Sequence, residues 1–176
     1  MNFKYIIPSN NYLKINGSEK SQAIAVQYLV RPNEVDQFIT RTPSPFVPQY
    51  TRPFAEQVAE WLRSRLSSGK LSYEPDPNGP LDYWSAPSHT LAWSGGDCED
   101  LTILGVSLFA AVGMAAQVTV GTYWNGSSSG GHAWIEGLDK RGFFLIEATT
   151  GDMYRRRPGN YLVTRWITPD LGRRVA

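Results

Sequence analysis

Two hydrophobic periods run along this chain, a helical one in its first two thirds and a strand-like one after it. From Pro53 onward Phe54, Val58, Trp61, Leu62 and Leu66 recur at three- and four-residue intervals, an apolar stripe closed off by Ser67-Ser68-Gly69. A second helix is predicted from Asp97. Leu101, Leu104, Leu108 and Ala111 or Val112 would form its buried stripe, with Asp97 as N-cap, Asp100 loosely imitating a capping box, and Gly113 as its stop. The period then shortens to two. Strands are expected at Gln117–Thr122, with Val118 and Val120 on one face, at His132–Leu138 and at Phe143–Ala148. Asp139-Lys140-Arg141-Gly142 reads as a turn that joins the last two strands into an antiparallel hairpin. Tyr161–Ile167 adds an edge strand, and Ala23–Val30 reads as a strand limited by Pro32. Helices gathered beside an antiparallel sheet make the fold class α+β.

Two segments break the pattern. Thr42 to Pro53 is proline-spaced and reads as an ordered surface loop. Residues 73–96 carry Pro75, Pro77, Pro80, Pro87 and the pair Gly95-Gly96 among Tyr73, Tyr83, Trp84 and Trp93. This segment reads as irregular chain packed over the core, its aromatics either stapling a long loop or walling a substrate cleft.

Composition adds limits more than identity. A chain of 176 residues with 41% hydrophobic composition can bury one core, so one domain over 1–176 is expected. Its chemistry concentrates at about 93–151, with an N-terminal elaboration before and a basic segment, 152–176, after. That last segment holds six Arg against two Asp, and reads as a solvated basic face. A net charge of +1 and the lack of a basic groove interleaved with aromatics argue against a nucleic-acid partner. A single cysteine rules out an internal disulfide and fits a reducing compartment. Met1 to Asn16 lacks the features of a signal peptide, and no apolar run approaches 18 residues, so no membrane span and a cytoplasmic location are the expectation.

The candidate chemistry lies on three elements. Cys98 opens the second helix, where unpaired backbone N–H groups favour a thiolate and can receive the oxyanion of an attacked carbonyl. Asp97, Glu99 and Asp100 surround it with negative charge and oppose that effect, so a cationic imidazole partner is required. A lone cysteine here is equally a small buried core residue. His132 stands at the mouth of its strand after the glycine- and serine-rich run Asn125–Gly131, which reads as a mobile flap; His89, the other histidine, reads as an incidental loop residue. A hairpin loop of two or four residues around Lys140-Arg141 puts even-numbered residues of one strand on the face of odd-numbered residues of the other. His132 and Glu147 then share a face, opposite or diagonal, within hydrogen-bonding reach. Glu147 lies among apolar neighbours and needs a partner; a bulge would break the parity, and an Arg is the alternative partner.

These residues together carry a resemblance. Gly96-Asp97-Cys98-Glu99-Asp100 before a helix, Gly131-His132-Ala133-Trp134, and Ile146-Glu147-Ala148-Thr149 resemble, in order and spacing, the nucleophile, histidine and acid segments of the transglutaminase-like superfamily of cysteine enzymes. The resemblance runs from about Trp93 to Gly151, and the third segment departs from the usual Asp-Pro-Thr. It implies a papain-like core, a catalytic triad of Cys98, His132 and Glu147, and acyl chemistry through a thioester. Hydrolysis of a protein or peptide substrate is the first expectation; transfer of the acyl group to an amine, or a non-enzymatic module that keeps the fold, are the others. Trp93, Gly96, Gly131 and Trp134 are the candidate cleft wall. No cofactor is required, although some members of peptidase type bind calcium through acidic residues beside the cysteine, here Asp97, Glu99 and Asp100.

Overall fold

Every residue from Glu99 to Phe109 is buried, which makes the helix that contains them the centre of the molecule rather than a surface element. In this structure, a computed structural model, residues 12–14, 26–41, 44–46, 51–76 and 83–169 are described. Besides a helical turn at 26–29 and a 3-10 turn at Pro32–Glu34, the helices among the described residues are α1 (Asp36–Thr40), α2 (Phe54–Ser67), α3 (Pro87–Trp93) and α4 (Cys98–Ala111), the central one. The strands are β1 (Tyr12–Lys14), β2 (Ser72–Tyr73), β3 (Tyr83–Ser85), β4 (Gly95–Gly96), β5 (Ala116–Trp124), β6 (Ser129–Asp139), β7 (Gly142–Glu147), β8 (Asp152–Tyr154) and β9 (Tyr161–Ile167).

The sequence of α4 is apolar on all sides, so a single buried stripe understates it. Among its polar residues Ser107 is bonded on both sides: its Oγ donates to the Ile103 carbonyl (2.8 Å) and accepts from Arg31 N (3.1 Å). Gly113, at φ +69°, ends the turn that follows. Phe109 stacks on Phe144 of β7 at 5.2 Å and meets Phe54 of α2 edge-on at 5.4 Å, so one ring ties helix, sheet and second helix together.

Five strands form one antiparallel sheet in the order β8-β7-β6-β5-β9. Val118, Ile135, Phe144 and Ile146 join the main core on the α4 side, whereas Trp134, Leu145 and Tyr161 form a second, smaller cluster on the other side. Helix α4 runs in the same direction as β6: a Cβ at Gly105 would sit 2.4 Å from Ile135 Cδ1, and Cys98 lies level with Ala133, whose main chain hydrogen-bonds it. Two small pairings flank this sheet. β1 pairs with β3, and β2 runs parallel to β4 with Tyr73 opposite Gly96.

Several sequence expectations need correction. Val26–Leu29 is helical, not a strand; Val26 and Leu29, three apart, are fully buried while Tyr28 is exposed, a spacing too short to separate the two periods. Residues 23–25 of that expected strand, and 42, 43 and 47–50 of the proline-spaced loop, lie outside the described residues. Of the segment 73–96, residues 77–82 lie outside the described residues, and 83–96 is regular, because Pro87 initiates α3 at its first turn instead of breaking it. His89 is therefore a helical residue, its ring 5.7 Å from that of Trp93. The flap before His132 is ordered: Asn125 Oδ1 accepts from the backbone N–H groups of Ser127 and Ser128, and the strand resumes at Ser129. In the basic segment Arg155 bonds Asp139 and Glu56 and Arg157 holds Glu136, while Arg156 is exposed; residues 170–176 of that segment lie outside the described residues. Among the described residues no helix is long and apolar enough to cross a membrane.

Among the glycines held by close approach, Gly121 lies nearest the histidine. At Gly121, opposite His132, a Cβ would lie 2.1 Å from the Leu162 carbonyl oxygen and 2.8 Å from Trp134 Cη2, where the register of β9 against β5 shifts. Backbone cannot yield as a side-chain tip can. Gly121→Ala is expected to cost about 1–3 kcal/mol in a denaturant titration; an unchanged midpoint would show that β9 does not press on this strand.

Candidate active site

The turn between β6 and β7 has two residues, Lys140 and Arg141, and the ladder runs from Asp139↔Gly142 to Ile135↔Ile146. Continued by one pair, this register sets Glu147 opposite Trp134 and diagonal to His132, so both side chains reach the same face. They meet there: His132 Nε2 lies 2.7 Å from Glu147 Oε2. The carboxylate takes three further bonds, from Tyr161 Oη (2.9 Å) to the same oxygen, and from Thr149 N (3.1 Å) and Oγ1 (2.7 Å) to the other. Burial alone would push the Glu147 carboxyl up, but the bonds from His132 and Thr149 and the imidazole's charge outweigh it and hold it below the usual range. An ionised Glu147 accepts only, so Nε2 carries the hydrogen and Nδ1 is left unprotonated in the neutral ring.

The histidine is packed as well as bonded. Its ring lies 5.3 Å from Tyr123 and 6.2 Å from Trp134, and Tyr161 lies edge-on to Trp134 at 5.1 Å. Trp134 is fully buried and donates to Glu136 Oε1, so it supports His132 from beneath and offers no surface for a cleft wall. Asp139 and Asp152 are engaged elsewhere. The first accepts from Arg155, and the second, although the chain does fold back to pair it with Glu147 in β8, bonds Arg63.

Cys98 sits at the first position of α4, after Asp97 in extended backbone. Asp97 provides no side-chain cap to the helix, and Asp100 does not close a capping box: its Oδ1 accepts the N–H of Ser85 on β3 (2.6 Å). Burial, with the charge of Asp97 adding to it, raises the Asp100 carboxyl to about 7 despite the bonds from Ser85. Gly96 belongs to this packing, because a Cβ there would fall 2.5 Å from Asp100 Oδ2; it is buried and lines no open cleft. Gly131 is the opposite case, exposed with open space where a side chain would be. Trp93 is 75% exposed at the end of α3.

The surroundings of the thiol favour its protonated form. Burial raises its pKa most; the Glu99 carboxylate, which accepts its hydrogen at 3.1 Å, and the charge of Asp97 raise it further, while the Ala133 main-chain bond works the other way. Asp97 and Glu99 approach Asp76 so that one oxygen of each lies within 4.8 Å of the others. Asp100 is not in that cluster. Three carboxylates are a hard-oxygen donor set of the kind that suits Ca²⁺. Two members of the site escaped the sequence reading. Asp76 has no local pattern that points to Cys98. Tyr73, in β2, pairs with Gly96 two residues before the cysteine and is half exposed; its phenol is raised first by burial, then by the charges of Cys98, Asp97, Glu99 and Glu147.

With this geometry in hand, comparison with known proteins is specific. Residues 44–148 match the model of the transglutaminase-like superfamily. The chain belongs to that superfamily. The match includes the cysteine, histidine and glutamate segments, and the α+β architecture with a central helix on an antiparallel sheet is the family's papain-like core. Among solved structures, calcium-bound LapG of Legionella pneumophila is 16% identical, with a TM-score of 0.50 over 84% of this chain and 75% of that one. A candidate cysteine protease of Cytophaga hutchinsonii is 19% identical, with a TM-score of 0.48 over 87% of this chain. The chain spans 44% of the length of that protein. A comparison with curated protein sequences found no match.

The electrostatics of the thiol give a test. Glu99→Gln removes the adjacent negative charge, and iodoacetamide should then alkylate Cys98 about tenfold faster or more at neutral pH. An unchanged rate would mean that Glu99 does not control the thiol.

Proposed function

We propose that the chain is a cysteine hydrolase that cleaves a peptide or amide bond through a thioester, with Cys98 as nucleophile, His132 as general base and acid, and Glu147 as the residue that orients the imidazole. The observation that carries this reading is a pair of bonds from adjacent residues of β6. His132 gives Nε2–H to Glu147, and the Ala133 main chain bonds the Cys98 sulfur. Nucleophile and base are thereby tied to one strand at one level.

In this mechanism His132 Nδ1 takes the thiol proton as the sulfur attacks the substrate carbonyl carbon. The carbonyl oxygen becomes an oxyanion near the first-turn N–H groups of α4. Collapse breaks the carbon–nitrogen bond, and the imidazolium returns its proton to the leaving amine. Water then gives a proton to His132 as its oxygen attacks the thioester; the acid leaves and the thiol is restored. Glu147 stays ionised throughout and stabilises the imidazolium, which its four hydrogen bonds favour.

Glu99 opposes this chemistry while its carboxylate holds the thiol hydrogen. Asp76, Asp97 and Glu99 would hold a calcium ion, as expected of members with acidic residues beside the cysteine, and bound there it supplies positive charge that offsets Glu99. Asp100, bonded to Ser85, remains outside that set.

Incubation with a panel of peptides and amides, followed by intact-protein mass spectrometry after acid quench, tests the reading. An acyl adduct that maps to Cys98, together with loss of all turnover in folded Cys98→Ala, is expected. Turnover undiminished in Cys98→Ala would end the cysteine-hydrolase reading.

A further inference from the structure

The sheet is longer than the helix packed on it. Helix α4 begins level with Ala133, yet β6 starts four residues earlier, at Ser129, and β5 continues to Trp124. At a rise of about 3.3 Å per residue the sheet overhangs the nucleophile's end of the helix by roughly 13 Å. On the face that carries α4, the row beyond Val120↔Ala133 is Gly131, Thr122 and Leu162, read across β6, β5 and β9. Trp124 and Ser129 form the row after that.

Two features of this overhang are suited to a chain leaving the active site. Nothing lies within 4 Å of a Cβ position at Gly131, so the strand next to the sulfur has an open floor. Beyond it a cavity of about 280 Å³ is lined by Thr122, Trp124, Ser129, Gly159, Asn160 and Leu162. Its two large walls, Trp124 and Leu162, are 54% and 64% exposed, an apolar surface. Among the described residues no charged side chain lines it.

We infer that this overhang is a substrate subsite: the polypeptide passes over Gly131, and a bulky apolar side chain two to four residues from the scissile bond fills the cavity between Trp124 and Leu162. The inference rests on the hydrolase reading above, and continuity with Cys98 selects its occupant. An extended chain covers the distance from the sulfur to the cavity in that number of residues, at about 3.3 Å each. The uncharged lining excludes an acidic or basic side chain as the preferred one, because its charge would be desolvated without a partner.

The test is a library of peptides randomised on both sides of a cleaved bond, digested by the wild type, Cys98→Ala, Leu162→Asp and Trp124→Ala, with products read by mass spectrometry. Circular dichroism checks that each variant is folded, and iodoacetamide labelling reports the thiol separately. The wild type should prefer Leu, Phe or Trp at one position two to four residues from the cut. Leu162→Asp should lower kcat/KM for those peptides by about 10- to 100-fold, chiefly through KM, and erase the preference while Cys98 labels at its usual rate. Trp124→Ala should shift the preference toward larger side chains. Cleavage that depends on Cys98 with the preference unmoved in both variants overturns the subsite alone. Absence of any cleavage that depends on Cys98 overturns the hydrolase reading and the subsite with it.

Discussion

The site depends on one carboxylate. Glu147, at the end of β7, is almost wholly buried, and an ionised group in that position is tolerable only if every lone pair facing the protein is used. Four donors meet that demand: the His132 ring from β6, the Tyr161 hydroxyl from β9, and the amide and hydroxyl of Thr149 just past β7. Its charge thus fixes the ring of His132, the end of the β6–β7 hairpin and the edge strand at the same time. The cluster of Trp134, Leu145 and Tyr161 beneath it encloses the network from the side away from α4. Removal of one donor would leave the others arranged around an under-satisfied charge, so the network is expected to behave as a unit.

The thiol stands in a contrasting environment. Glu147 is surrounded by donors, whereas Cys98 is surrounded by acceptors: Glu99 takes its hydrogen, and Asp97 adds negative charge. The favourable features of a helix start, its dipole and its open N–H groups, are worth only a few tenths to about 2 kcal/mol near a charge, and they do not overcome burial and two carboxylates. Glu147 and Cys98 are therefore shifted in opposite directions, the carboxyl down and the thiol up. That arrangement disfavours the thiolate while Glu99 is charged, so a cysteine at a helix N-terminus is not by itself a sign of a ready thiolate.

Much of this was legible in the sequence, for physical reasons that can be named. The two-residue turn at Lys140-Arg141 fixes parity, and parity alone brings His132 and Glu147 to one face. Helix α2 announces itself through periodicity, and α4 through a long apolar run stopped by Gly113, a residue that takes the left-handed φ found there. Other features failed because their cause is not local. Tyr161 reaches Glu147 only after β9 joins the far side of β5, and Asp76 comes to Asp97 and Glu99 only after β2 pairs with β4. Pro87 was legible only as a breaker, although at a first turn proline starts a helix. Trp134 alternates correctly onto the histidine's face, yet the sequence does not reveal that β9 covers it.

The claim on which the account turns is that Glu147 holds the Nε2–H of His132 and leaves Nδ1 for Cys98. Nitrogen-15 NMR of the labelled protein reads the tautomer directly, with His89→Gln removing the other imidazole from the spectrum. At a pH where the ring is neutral, the account predicts that His132 carries its proton on Nε2, and that Glu147→Gln redistributes it between the two nitrogens. A proton resident on Nδ1 in the wild type, or a tautomer indifferent to Glu147→Gln, would contradict it.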